Sequence, residues 1–128
     1  MSESMKYSLE FPIRSSIKVL YKRLSSPSGL SEWFADNVNI KKNIFTFFWD
    51  GSEQKAELIS KKENTFVRFH WLDSENDEDY FEMKIQIDEM TSDVSLIIVD
   101  FAIDDEEKDE GILLWETQID NLKQALGL

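Results

Sequence analysis

The chain has 128 residues, 41% of them hydrophobic and 12% aromatic, with 26 acidic against 14 basic side chains and a formal charge of −12. That length fits a single domain over residues 1–128 that buries about two thirds of its unfolded surface, which excludes disorder as a description of the whole. The charge, with no basic stripe, argues against nucleic acid and anionic membrane as partners, and the lack of cysteine removes disulfides, thiolate zinc sites and thiol nucleophiles.

No apolar run approaches the ~20 residues of a membrane span. The opening Met1-Ser2-Glu3-Ser4-Met5 lacks the basic and apolar regions of a signal peptide, so a cytoplasmic location is expected. Lys6 to Ile13 alternates around Tyr7, Leu9 and Phe11 like a half-buried strand, and Pro12 ends regular pairing. Ser15 or Ser16 can cap a helix with Ile17, Leu20, Tyr21 and Leu24 on one face. The run Ser25-Ser26-Pro27-Ser28-Gly29 breaks it, and a second short helix is expected over 30–34.

From Val38 to Ile103 the pattern is strands and turns. Asp50-Gly51 between alternating hydrophobics predicts a two-residue hairpin in which both turn residues take positive φ. The turn fixes a register: Trp49 opposite Ser52, Phe47 opposite Gln54, Phe45 opposite Ala56 and Asn43 opposite Leu58. The other face pairs Phe48 with Glu53, Thr46 with Lys55 and Ile44 with Glu57. The second set carries the charges, so Phe45, Phe47, Trp49 and Leu58 are expected to face the core.

Next, Val67, Phe69 and Trp71 share one face of a strand, with Phe66, Arg68 and His70 on the other. Phe81, Met83, Ile85 and Ile87 alternate with polar neighbours, and Val94 to Ile103 is apolar on both faces, as an interior strand is. Asp104 can cap a last helix, with Glu107 three residues on as in a capping box. Ile112, Trp115, Ile119, Leu122 and Leu126 recur at helical spacing, and Gly127 supplies the stop. The expected fold is α+β: a curved seven-stranded antiparallel sheet around a long C-terminal helix, with two short helices between strands 1 and 2. A helix only ~10 Å across must be wrapped by so wide a sheet, and wrapping leaves room for an apolar cavity beside it.

The element order resembles the helix-grip fold of the START-like, Bet-v-type (SRPBCC) superfamily, and in particular its ATPase-activator-homology branch. The residues that carry the resemblance are Leu20-Tyr21, Leu24-Ser25-Ser26-Pro27, Leu30 and Trp33-Phe34 near the first helices, then Gly111, Trp115, Leu122 and Leu126 in the last. Ile112 stands where members of that branch often place an aromatic directly after the glycine. The resemblance implies a hydrophobic cavity; members of the fold transport lipids, cyclise substrates, sense hormones or act as co-chaperones, so it selects no function.

Candidate chemistry is sparse. His70 is the sole histidine, and its strand phase puts it on the outer face with Arg68. The oxygens of Asp73 to Asp79 lack the glycine of an EF-hand loop and read as a solvated hairpin loop, while Asp104 to Glu110 reads as a helix start favoured by the dipole. No cofactor or metal motif is found. Gln54 on the face of Phe47, and Asp100 with Leu96 and Ile98, are polar members of the inner face that could orient a ligand head, or instead bond backbone, water or another side chain, or sit at the sheet's end. Gly111 permits close packing or a bend at a cavity mouth, or is merely tolerated near the helix start. Trp33, Phe47, Trp49, Gln54, Phe69, Trp71, Phe81, Met83, Ile98, Asp100 and Trp115 form the candidate lining. Phe48, Phe66, Ile97, Val99 and Phe101 gather on the outer sheet face, a candidate surface for a second protomer or a protein partner. The expected function is a non-catalytic binding module for a small hydrophobic or lipid-like ligand. The alternative is a co-chaperone-like interaction domain with no small-molecule ligand. An enzyme such as a cyclase ranks third, for want of a convergent acid–base set.

Overall fold

The computed structural model of the protein describes residues 4–128. Residues 1–3, part of the stretch weighed above as a signal peptide, lie outside it. The elements run β1 (Met5–Pro12), α1 (Ile17–Ser25), α2 (Pro27–Leu30), β2 (Asn37–Lys41), β3 (Ile44–Trp49), β4 (Ser52–Lys62), β5 (Phe66–Trp71), β6 (Phe81–Ile87), β7 (Val94–Ala102) and α3 (Asp105–Ala125). The strands form one seven-stranded antiparallel sheet in the order β1-β7-β6-β5-β4-β3-β2. The expected α+β helix-grip architecture is the one found.

Local chemistry explains where the elements start. Ser16 Oγ accepts from the Val19 amide at 3.2 Å and caps α1. The second short helix lies earlier than expected: Ser26 is its cap, accepting from Gly29 N at 3.0 Å, and Pro27 occupies its first turn. A proline at that position loses no helical hydrogen bond and has its φ already set, so the supposed breaker is the initiator. Asp104 Oδ1 accepts from Glu107 N at 2.8 Å, and the Glu107 carboxylate reaches back to Ile103 N at 3.2 Å. Asp105, Glu106 and Glu107 crowd that first turn, where the dipole favours them. At the other end Gly127 N and Leu128 N donate to Gln124 O and Lys123 O, closing α3 as the glycine foretold.

The β3–β4 register is the one read from the turn, pairing Trp49 with Ser52, Phe47 with Gln54 and Phe45 with Ala56. The turn itself differs. Gly51 has φ 80°, but Asp50 is not among the positive-φ residues, so one left-handed residue suffices. A bulge between Leu58 and Ser60 then shifts the β4–β5 register and leaves Ile59 exposed.

The core lies between the sheet and α3. Phe45, Phe47, Val67, Phe69, Phe81, Met83, Leu96 and Ile98 are buried from the sheet, and Trp115, Ile119 and Leu122 from the helix. Phe34, in the turn after α2, fills the space between them. Its ring centroid lies 5.0 Å from Phe47, 5.9 Å from Trp49, 5.8 Å from Phe81 and 6.0 Å from Trp115. Its carbonyl accepts from Trp49 Nε1 at 3.0 Å and from Gln118 Nε2 at 3.3 Å. Truncating Phe34 to alanine would remove a buried ring and all these ring contacts, so a loss of about 3–5 kcal/mol is expected in urea unfolding. A loss below about 1 kcal/mol would show that the site collapses and that Phe34 is not the wedge.

Candidate functional site

Space remains at the N-terminal half of α3, where the ends of β1, β4, β5 and β7 meet the helix. A groove of about 600 Å³ there is lined by Tyr7, Gln54, Trp71, Asp73, Asp79, Tyr80, Asp100, Phe101, Glu107, Glu110, Gly111 and Leu114, among others. Cross-strand pairing of Tyr7 with Asp100 builds its floor. Trp115 projects from α3 onto the same carboxylate, and its Nε1–H donates to Asp100 Oδ2 at 2.8 Å. The Phe101 amide donates to Asp100 Oδ1, also at 2.8 Å.

Gly111 packs on β1 against the Tyr7 hydroxyl. A Cβ at this position would collide with that oxygen, so the glycine serves the close packing weighed above. A second groove, of about 720 Å³, runs on the other side of Leu114 and is lined by Trp33, Phe34, Trp49, Thr117, Gln118 and Asn121, among others. Leu114, 60% exposed, is shared by both grooves.

The candidate lining residues divide into three groups. Trp71, Gln54 and Asp100 meet in the first groove, above Trp115. Trp33 and Trp49 border the second, where their indole N–H groups are spent on Arg23 O at 2.9 Å and Phe34 O at 3.0 Å. Phe47, Phe69, Phe81, Met83 and Ile98 lie sealed in the core, each at most 1% exposed. Rings from Phe45 to Trp115 pack against one another at centroid distances of 5.0–6.3 Å, so side chains fill the deep space where a cavity was expected.

Gln54 requires a correction. It pairs with Phe47 as the register demands, but near the end of the sheet, where it is exposed and its Nε2 donates to Asp73 Oδ2 at 3.3 Å. It is a rim residue and not a buried polar group. The outer face also differs from expectation. Val99 is only 8% exposed within the chain itself, while Phe48, Phe66, Ile97 and Phe101 are half-buried. Arg68 bonds Glu82 through Nε and Nη2 at 3.0 and 2.7 Å and lies 4.2 Å above the Tyr80 ring. Tyr80 in turn meets Phe101 edge-on at 5.0 Å. His70 sits on this face too, its Nδ1 2.6 Å from Asp79 O.

Sequence reasoning missed Tyr7, Tyr80, Phe101 and Leu114 as groove residues. The available signal was Gly111: a glycine inside a helix marks a close neighbour, and that neighbour is Tyr7.

Burial raises Asp100 to about 6, with neighbouring Asp79 and Glu107 adding to the rise and the Trp115 and Phe101 hydrogen bonds opposing it. Burial also raises Tyr7 to about 12, helped by Asp100 and Glu107. Between the ordinary carboxylate value of 3.8 and about 6, folded chains hold an Asp100 proton that unfolded chains have lost. Stability from this group therefore falls as pH rises through that window and levels off above it. In Asp100→Asn the fall should vanish, seen as a widening gap between variant and parent melting temperatures from pH 4 to 6.5. Parallel curves would contradict the assignment. Gly111→Ala should destabilise by about 1–3 kcal/mol through overpacking. Adding Tyr7→Phe should return most of this loss, because the ring carbon beneath the hydroxyl lies at an ordinary 3.5 Å. No recovery in the double variant would place the clash elsewhere.

Comparison with known proteins fits this architecture. A START-like superfamily domain model matches residues 1–128. A Bacteroides fragilis protein solved in solution by NMR is 36% identical over 100% of this chain and 94% of its own, with a TM-score of 0.69. The Aha1 dimer from Colwellia psychrerythraea, at 14% identity, covers 95% of this chain and 96% of that one with a TM-score of 0.79. A Mesorhizobium loti protein, at 15% identity, covers 96% and 97% with a TM-score of 0.75. Among curated proteins none matches the sequence. The match over all 128 residues, together with the seven-stranded sheet and long final helix, places this chain in the START-like superfamily.

Proposed function

We propose that this protein is a non-catalytic binding module for a small hydrophobic or lipid-like ligand, seated where α3 meets the ends of β1, β4, β5 and β7. The observation that carries the reading is the groove of about 600 Å³ beneath Leu114, within the size range of small-molecule sites. Its wall combines the apolar surfaces of Trp71, Phe101 and Leu114 with a largely polar and acidic remainder that includes the half-buried Asp100. Of the sequence-derived lining, Trp71 and Asp100 have this role, Trp115 holds Asp100 from below, Gln54 stands at the rim, and the sealed phenylalanines support the wall from behind.

A second reading, a protein-interaction domain of co-chaperone type, is favoured by the filled interior. Phe47 and Phe69 are 0% exposed and leave no deep room for a guest. Under that reading the half-buried Phe48, Phe66, Ile97 and Phe101 of the outer face contribute to a partner surface, or to a homodimer interface.

No described helix is long and apolar enough to cross a membrane. Native mass spectrometry of the protein from its own host separates the two readings. A retained small molecule, lost in Leu114→Lys without change in melting temperature, supports the module, because Leu114 is exposed and holds no core position. Retention unaffected by Leu114→Lys moves the ligand elsewhere. A bare monomer mass with a co-purifying protein partner supports the second reading.

A further inference from the structure

The groove has a charge pattern that its apolar walls do not require. Its lining carries the carboxyl groups of Asp73, Asp79, Asp100, Glu107 and Glu110, and none of its described lining residues is basic. Asp100 and Asp79 are half-buried, and the other three are exposed. Each Asp100 oxygen accepts a single hydrogen bond, one from an indole and one from a backbone amide. Both donors are neutral, so the carboxylate keeps an acceptor site on each oxygen and, among the described residues, forms no ion pair. The ion pairs among the described residues, Arg23–Glu32 and Arg68–Glu82, include none of the five.

A half-buried carboxylate without a cation is costly, and an incoming positive charge removes that cost. The aromatic wall adds to the same preference. Trp71 and Tyr7 also line the groove, and aromatic faces attract cations. Tyr80 already lies beneath the Arg68 guanidinium at 4.2 Å, with Lys6 Nζ 5.9 Å from its centroid. An anionic head, such as a fatty-acid carboxylate, would meet the five carboxyl groups of the lining.

Resting on the binding-module reading, we propose that the groove selects an organic cation: a protonated amine carried on a flat or chain-like apolar body, with the ammonium at Asp100 and the body between Trp71 and Leu114. The net charge of −12 favours approach of such a ligand, and the rim acids focus it at this end of the helix.

Three probes of similar shape test this in uniformly ¹⁵N-labelled full-length protein at pH 7.5: tryptamine, its neutral isostere 3-propylindole, and indole-3-acetate. The readout is the Trp115 Nε1–H resonance, assigned by its loss in Trp115→Phe. Tryptamine should shift that resonance and bind about tenfold or more tightly than 3-propylindole, as a charge-assisted contact would. Indole-3-acetate should leave it unmoved. In Asp100→Asn the preference for tryptamine should collapse towards unity while 3-propylindole binds as before, with the Trp33 and Trp49 indole signals reporting an intact fold. The exposed rim substitution Glu110→Gln should lower the preference by a smaller factor, which provides a test independent of how Asp100→Asn folds. Equal binding of tryptamine and 3-propylindole would overturn the cation preference while sparing the groove as a site. Silence from all three probes would overturn both.

Discussion

The placement of Phe34 is the constraint on which the rest depends. One side chain at the end of a short helical turn touches β3, β6 and α3 at once through Phe47, Trp49, Phe81 and Trp115. Its backbone oxygen is shared by an indole from the sheet and an amide from the helix. A residue of this kind ties three elements with buried apolar area and satisfies one buried and one part-buried donor. Without it, Trp49 and Gln118 would each need another acceptor, and the space between helix and sheet would be open. The filled interior follows from this one wedge, and free volume is left in grooves on either side of Leu114.

Much of the fold was legible because it rests on local signals. Asp50-Gly51 and the charge distribution of the flanking strands were enough to assign the β3–β4 register and the inward face. Caps at Ser16 and Asp104 and the stop at Gly127 were equally readable. Failures came where position along an element mattered more than phase. Strand alternation puts Gln54 on the correct face but says nothing of its distance from the sheet's end, so the choice between a buried polar group and a residue at the sheet's end stayed open until the structure showed the second. Pro27 looked like a breaker because its neighbours are turn formers, yet the first turn of a helix is where proline is tolerated. The candidate site was less legible still. Its floor is the pair Tyr7–Asp100, joined only when the first and last strands meet, and no local pattern encodes that contact.

The groove and the stability of α3 draw on the same residues. Acidic side chains in the first turns suit the positive end of the helix dipole, and Glu107 is both part of the cap and part of the groove wall. The cluster can therefore be retained for folding and still set the electrostatics of whatever approaches. Gly111 joins the two roles in the opposite sense. It weakens helix propensity locally, by roughly 1 kcal/mol against alanine, and in return brings the helix against the Tyr7 hydroxyl.

The strand order has a further consequence for how the protein is made. From β2 to β7 each strand pairs with its neighbour in sequence, as a meander that can zip up hairpin by hairpin. β1 is different: Met5 lies opposite Ala102, across almost the whole chain. On a ribosome the first strand emerges first and must wait for its only partner in the sheet, for about 5–20 s at ordinary elongation rates. During that interval Tyr7, Leu9 and Phe11 have no β7 to cover them. Lys6 and Glu10 put a charge of each sign on that waiting edge, and charged side chains on an edge discourage pairing with the wrong chain.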